Sequence, residues 1–147
     1  MRGCLSAIIL GVFVLLGLAP AARSQATGQI SVAVAGLRND NGVVRCGLYA
    51  SADGFRKPGR EFQGVVAPIS NRGATCLFDN VPAGTYAVAL FHAEQNETQI
   101  QYGFFGQPKQ GYGFSRDPDT TFGPPSFKEA AFEFTGGKLA MTVKLSY

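Results

Sequence analysis

Beyond residue 26, apolar residues alternate with polar or small residues along most of the chain, as half-buried strands require. Ile30, Val32 and Val34 mark the first such segment. Seven segments share this character: 28–35, 43–50, 65–69, 74–79, 85–92, 129–134 and 138–147. No segment shows a convincing helical spacing. The pattern therefore predicts an all-β domain of seven strands.

Turn residues separate most of these segments. Asn41-Gly42 lies between the first two, and both residues tolerate the positive φ of a tight turn, so the dipeptide predicts a hairpin there. Short strands divided by Gly and Pro turns are typical of two antiparallel sheets packed face to face. We therefore expect a seven-stranded antiparallel β-sandwich over residues 27–147.

The first 26 residues differ in composition from the rest. Arg2 precedes an uncharged, mostly apolar run over 5–18, and small residues then offer cleavage sites after Ser24 or Ala26. This order is typical of a secretory signal peptide, and the run is shorter than the roughly 18 residues of a spanning helix. An uncleaved membrane anchor is the alternative. We expect an exported protein of the periplasm or the extracellular medium.

Loss of residues 1–26 changes the charge of the chain. Arg2 and Arg23 leave with this segment, so eleven basic residues face ten acidic ones, and the formal net charge falls from +3 to +1. A nucleic-acid partner would require a large, clustered excess of Lys and Arg. The composition argues against nucleic-acid binding.

Two cysteines remain beyond residue 26. Cys46 and Cys76 both lie on the apolar face of a predicted strand. An even pair in an oxidising compartment is a disulfide candidate, and the alternative is two buried free thiols. We predict a Cys46–Cys76 disulfide that ties two strands through the core.

Three blocks of sequence carry a family resemblance. They are Gly36–Gly42, Phe78–His92, and the pair Gly106–Ser115 with Phe122–Phe127. Together they resemble the uncharacterised secreted bacterial family called domain of unknown function 2141, over nearly the whole chain beyond residue 26. The Pro-Ala-Gly-Thr-Tyr strand is also common in transthyretin-like sandwich modules. The resemblance implies an Ig-like or transthyretin-like sandwich and supplies no activity.

Family members typically carry an Asp-, Asn- and Gly-rich loop after the His, which looks like a calcium loop. Here residues 93–101 contain no Asp and no Gly. Calcium requires several hard oxygen ligands at alternating positions, with Gly at the sharp turn. We expect no metal and no cofactor.

His92 is the single histidine, and it ends the strongest strand. It is a conceivable general base, since its side chain titrates near neutrality. A triad would also need a nucleophile and an orienting acid, and no nucleophile-elbow or zinc-protease motif occurs. The simpler interpretation is a strand-end histidine that hydrogen bonds to the long loop after it.

Residues 102–127 form a long Gly- and Pro-rich loop. They contain seven aromatic residues, with five Gly and four Pro. The rings either pack as the loop's own small core, or stay partly exposed as a platform for a sugar or peptide. On the second interpretation the ligand-binding residues are His92, Tyr102, Phe104, Phe105, Lys109, Tyr112, Phe114 and Arg116.

Three functions follow as hypotheses. The first is an exported, non-catalytic module that binds a glycan, peptide or envelope protein through the 102–127 loop. The second is a purely structural envelope protein whose sheet edges pair with other chains. The third is a hydrolase or isomerase that uses His92 with Glu94, Asp117 or Asp119.

Overall fold

The computed structural model describes residues 24–147. The predicted signal peptide, 1–26, falls outside the described residues except for its last three positions. Eight strands and one short helix are found in the described range: β1 Thr27–Ala35, β2 Val43–Tyr49, β3 Gln63–Pro68, β4 Ala74–Pro82, β5 Gly84–Ala93, β6 Tyr112–Phe114, α1 Phe127–Ala130, β7 Phe132–Phe134 and β8 Gly137–Lys144. The chain is all-β, as predicted. Among residues 24–147, no helix has the length and apolar character needed to cross a membrane.

The strands form two sheets. One has the order β4-β1-β8, and the other has the order β3-β2-β5-β6, with β7 also paired to β5. Every pairing is antiparallel except that of β1 with β8, which is parallel. The prediction of seven antiparallel strands is thus corrected to eight strands with one mixed sheet. Parallel strands can be far apart in sequence, so the spacing of predicted strands does not indicate which of them pair in parallel.

The two sheets share one core. Inward side chains of β1, β4 and β8 meet those of β2 and β5 in a single buried cluster, which includes Ile30, Val32, Phe78, Leu48 and Val88. The Cys46–Cys76 disulfide lies in this cluster and joins β2 to β4, with 6.5 Å between the two Cα atoms. The predicted disulfide is confirmed, and it connects the two sheets.

The predicted hairpin at Asn41-Gly42 is wrong. β1 and β2 belong to different sheets, so the segment 36–42 crosses from one sheet to the other. Gly42 does have the positive φ of 68° that the dipeptide suggested, and a Cβ on it would overlap the carbonyl oxygen of Ala93. Gly42 therefore adopts the backbone conformation of a tight turn, but core packing decides which strand each of β1 and β2 pairs with.

Two elements near the end of the chain were also missed. The predicted strand 129–134 begins as α1, whose N-cap Ser126 and residue Glu129 form a reciprocal capping box. Ser126 Oγ accepts from the Glu129 N–H, while the Glu129 carboxylate accepts from the Ser126 N–H. This Ser-x-x-Glu signal was readable in the sequence. The second element is β6, whose three residues are too few for an alternating pattern.

Candidate functional site

A concave groove of about 920 Å³ lies on the outer face of the five-stranded sheet, away from the shared core. We call it the sheet groove. Its floor is formed by outward residues of β2, β3, β5 and β6, and its walls by segments 56–61, 98–108 and 120–124. The volume falls within the range of about 300–1,000 Å³ that small-molecule sites occupy.

Small residues form part of the floor of the sheet groove. Gly47 and Ala89 face each other across β2 and β5, and Gly64 faces Gly47 from β3. A Cβ on Gly47 would come within 2.8 Å of the Tyr49 ring. Tyr49 therefore lies partly over Gly47 because no side chain opposes it there. The Tyr49 ring, rather than a side chain at position 47, thus forms this part of the floor.

One end of the groove rests on a second apolar cluster. Tyr49, Phe55, Ala87, Phe114 and Ala130 are buried there, on the face of the five-stranded sheet opposite the main core. Phe55 packs edge-on against Tyr49, with 5.5 Å between ring centroids. Burial raises the pKa of the Tyr49 hydroxyl, and the Glu61 carboxylate raises it further. Tyr49 and Phe114 of this cluster line that end of the groove.

The seven aromatic rings of 102–127 divide between two environments. Phe114 is buried, and Tyr112 and Phe127 pack against the same apolar cluster. Tyr102, Phe104, Phe105 and Phe122 are 54%, 95%, 88% and 99% exposed. Three of the rings thus pack as a small core, and the other four are exposed.

The long wall of the groove is held by its own hydrogen bonds. The Gln101 N–H donates to Gln110 Oε1 over 2.8 Å, and the Lys109 N–H donates to the Gln101 carbonyl over 2.9 Å. The Gly103 N–H donates to the Gln107 carbonyl over 2.8 Å. Tyr102 and Phe105 therefore lie on a loop that is held by hydrogen bonds, although their rings are exposed.

Four of the predicted ligand-binding residues line the sheet groove: Tyr102, Phe105, Tyr112 and Phe114. Phe104 does not line it, but packs edge-on against Phe105 with 5.1 Å between centroids. Lys109 and Arg116 are exposed and lie outside the lining. Arg116 Nη1 donates to the Ala131 carbonyl over 3.2 Å.

His92 lies apart from the sheet groove and is fully buried. Its Nε2 donates to the Asn41 carbonyl, and the Tyr147 hydroxyl donates to Nδ1, each over 2.7 Å. The His92 N–H donates to the Gly111 carbonyl of the long loop over 2.8 Å, so the predicted bond to that loop is present through the main chain, while the imidazole ring binds other segments. Both ring nitrogens are occupied, and neither meets a carboxylate. The tertiary contact with the last residue of the chain was not readable from spacing.

An ion pair lies beside this histidine. The Arg38 guanidinium binds the Glu94 carboxylate through both oxygens, and Asn39 Nδ2 donates to the same carboxylate. The Arg38 hydrogen bonds, followed by that of Asn39, lower the pKa of Glu94 to about 2, against the opposing effect of burial. This cluster anchors the crossing segment 36–42 to the end of β5.

The remaining carboxylates on the long loop serve local structure. Asp117 accepts from the Lys144 N–H over 3.1 Å, and Asp119 accepts from the N–H and hydroxyl of Thr121. Within residues 24–147, no group of three His, Cys, Asp or Glu side chains is placed to hold a metal ion.

Sequence reasoning missed the floor of the groove. Arg45, Tyr49, Ala89 and Phe91 all face outward and line it. A signal was available, because the outward positions of β5 are Ala87, Ala89 and Phe91, which is an apolar second face. A strand that is apolar on both faces is covered on both faces.

Comparisons with known proteins complete the description. Neither the curated proteins nor the solved structures include a match to this chain. One family model does match, and it covers residues 32–142, well over half of the chain. The chain belongs to the family DUF2141, described as an uncharacterized protein conserved in bacteria.

Proposed function

We propose that this protein is an exported, non-catalytic binding module that holds a glycan, a peptide or an envelope protein in the sheet groove. The observation that carries the proposal is the groove itself, with exposed Tyr102 and Phe105 on the hydrogen-bonded wall segment 98–108. Exposed aromatic side chains clustered at a concave site are uncommon on a surface without a partner. Tyr and Phe also lose little side-chain entropy on binding.

The placement of His92 favours binding over catalysis. A general base must lie within reach of the substrate, but both nitrogens of His92 are engaged in a buried position outside the groove. Glu61 is the carboxylate among the described lining residues of the groove. A hydrolase or isomerase built on His92 would need this histidine to leave its partners.

Export is part of the proposal. It is supported by the signal-like order of residues 1–26 and by the disulfide, since stable disulfides are rare in reducing compartments. The compartment we propose is the periplasm or the extracellular medium. We also propose that the two sheets form a sandwich of the Ig-like or transthyretin-like type, which their shared core and inter-sheet disulfide support.

Binding is tested with the exported protein purified from its native host. Glycan and peptide arrays are probed with the wild type, with the double variant Tyr102→Ala/Phe105→Ala, and with the control Phe122→Ala. Phe122 is even more exposed than Tyr102 and Phe105 but does not line the groove. We expect the double variant to lose at least about tenfold in affinity and the control to keep wild-type binding. Identical binding by the wild type and the double variant would contradict the groove as the binding site, and no binding by either would contradict a glycan or peptide ligand.

Export is tested separately by cell fractionation and by mass measurement of the purified chain. We expect a mature protein that begins at Gln25 or Thr27 outside the cytoplasm. A full-length chain retained in the cytoplasm would overturn this part of the proposal.

A further inference from the structure

Arg45 is the charged residue on the floor of the sheet groove. It lies in the middle of β2, opposite Val66 of β3 and Phe91 of β5, and all three line the groove. Arg45 is partly buried, unlike the exposed cations Arg56 and Lys57 of the neighbouring wall. The walls of the groove therefore cover part of the Arg45 side chain.

One hydrogen bond orients this guanidinium. Arg45 Nε donates to the Glu97 carbonyl over 2.6 Å, which leaves the two terminal nitrogens without a hydrogen-bond partner among residues 24–147. No carboxylate of the described chain lies within 4 Å of it, since the ion pairs found there are Arg38–Glu94 and Lys57–Asp53. The Glu97 carboxylate itself accepts from the Gln95 N–H and from Gln110 Nε2. Arg45 is therefore a fixed cation with a free binding edge.

A free guanidinium edge matches a carboxylate. Its two terminal nitrogens donate in parallel to the two oxygens of that group, which is both strong and directional. The groove around Arg45 also presents aromatic rings from Tyr102, Phe105 and Tyr112, and amide or hydroxyl groups from Gln99, Gln107, Thr98 and Thr121. Rings stack on flat apolar faces, while amides and hydroxyls bind hydroxyl groups.

We propose that the sheet groove binds an acidic sugar chain, with the carboxylate of a uronic acid on the terminal nitrogens of Arg45. A uronic acid combines a carboxylate, several hydroxyl groups and a CH face that a Tyr or Phe ring can cover. This proposal rests on the proposed function and specifies its ligand. The volume of the sheet groove, about 920 Å³, is enough to admit a sugar ring beside Arg45.

A peptide is the competing ligand, and the groove favours it less. A peptide that adds to a sheet draws its affinity from main-chain hydrogen bonds along a free strand edge. The edge strand β3 ends at Pro68, which has no N–H to donate. Arg45 lies on the sheet face rather than at that edge, so strand addition would not use it.

The test measures binding of uronate tetrasaccharides to the exported protein. The probes are galacturonate, mannuronate and guluronate tetramers, each compared with the same tetramer whose carboxyl groups are reduced to alcohols. The variants are Arg45→Gln and Arg45→Lys, with Lys109→Gln as the matched control. Lys109 is a cation that directly follows the wall segment 98–108, and it does not line the groove. Thermal unfolding of each variant checks that the fold is kept.

We expect at least one uronate tetramer to bind the wild type, and its reduced form to bind at least about tenfold more weakly. Arg45→Gln should weaken uronate binding by at least about tenfold and leave binding of the reduced tetramer unchanged. Arg45→Lys should recover only part of the loss, because an ammonium lacks the paired donors. Lys109→Gln should bind like the wild type.

Other results separate the two proposals. Binding only of neutral tetramers or of peptides, lost in Tyr102→Ala/Phe105→Ala but not in Arg45→Gln, would overturn the acidic-sugar proposal and keep the groove as a binding site. Uronate binding that Lys109→Gln weakens as much as Arg45→Gln would indicate a diffuse surface charge and overturn it too. No binding of any sugar or peptide would overturn the acidic-sugar proposal together with the glycan and peptide ligands of the proposed function.

Discussion

The Tyr147 hydroxyl donates to Nδ1 of the buried His92 over 2.7 Å, across 55 positions of sequence. The same hydroxyl accepts from the Arg38 N–H over 3.2 Å. The last residue of the chain thus fastens β5 and the crossing segment 36–42 together.

Tyr147→Phe should therefore lower the free energy of unfolding by about 1–3 kcal/mol, since it leaves a buried ring nitrogen without a partner. Urea denaturation followed by circular dichroism measures the change. Tyr102→Phe is the matched control, because Tyr102 has an exposed ring in the groove wall, and it should change stability by less than about 0.5 kcal/mol. Equal stability of Tyr147→Phe and the wild type would show that the bond contributes nothing.

Protonation of Glu94 in acid should remove the stabilisation by the Arg38–Glu94 ion pair and so lower the free energy of unfolding. The pKa of Glu94 is about 2 in the folded state against an ordinary value of 4.5. The stabilisation by Glu94 is complete above about pH 4.5 and is lost as the pH falls towards 2. Between these values the unfolded state binds a proton at Glu94 and the folded state does not, so acid favours unfolding. The Arg38 side chain is 51% exposed, so we expect about 1–2 kcal/mol rather than the full value of the shift.

Urea denaturation between pH 7 and pH 2 measures this effect. Glu94→Gln should lose stability at pH 7 and show a flatter dependence below pH 4.5. Glu61→Gln is the control, since Glu61 forms no ion pair within the described residues, and it should keep the wild-type profile. A Glu94→Gln profile parallel to that of the wild type would argue against the ion pair as the cause.

Reduction of the Cys46–Cys76 disulfide should destabilise the protein. The bond closes a loop of 30 residues, and the loop-entropy model assigns about 3–4 kcal/mol to a loop of this size. Denaturation with and without a reductant measures the difference, and the double variant Cys46→Ala/Cys76→Ala should behave like the reduced protein. A reduced chain as stable as the oxidised one would show that the shared core alone holds the sheets together.

Ser115 should be one of the most sensitive polar positions. It is fully buried, and its Oγ accepts from the Val88 N–H over 2.9 Å and donates to the Ala130 carbonyl over 2.5 Å. Ser115→Ala leaves both main-chain groups without their partner, so we expect a loss of about 2–4 kcal/mol. Ser31→Ala, on the outer face of β1, should cost less than about 1 kcal/mol. Thermal denaturation of the two variants makes the comparison.

Much of the architecture was predictable from local pattern. The period-two alternation located six of the eight strands within a few residues, since each of these strands buries one face in the common core. Two cysteines on apolar faces were enough to predict the disulfide. The errors occurred where the local pattern was short or where two elements shared a segment, as with β6 and α1.

The candidate site was predictable only in part. Tyr102, Phe105, Tyr112 and Phe114 stood out by their density in one loop, and they do line the groove. Arg45 did not stand out, because an arginine in an alternating strand usually points to solvent. Arg45 lies in a groove only because the loop 98–108 forms a wall beside this face of β2.

The sequence by itself determined that this chain forms strands, which face of each strand is apolar, and which cysteines pair. These are local properties, or follow from the presence of two cysteines beyond residue 26. The tertiary structure decided which sheet each strand joins, the parallel pairing of β1 with β8, and the groove between the outer face and its loops. Those features depend on contacts between residues far apart in the chain, and they are chosen by the packing of the whole core rather than by any single segment.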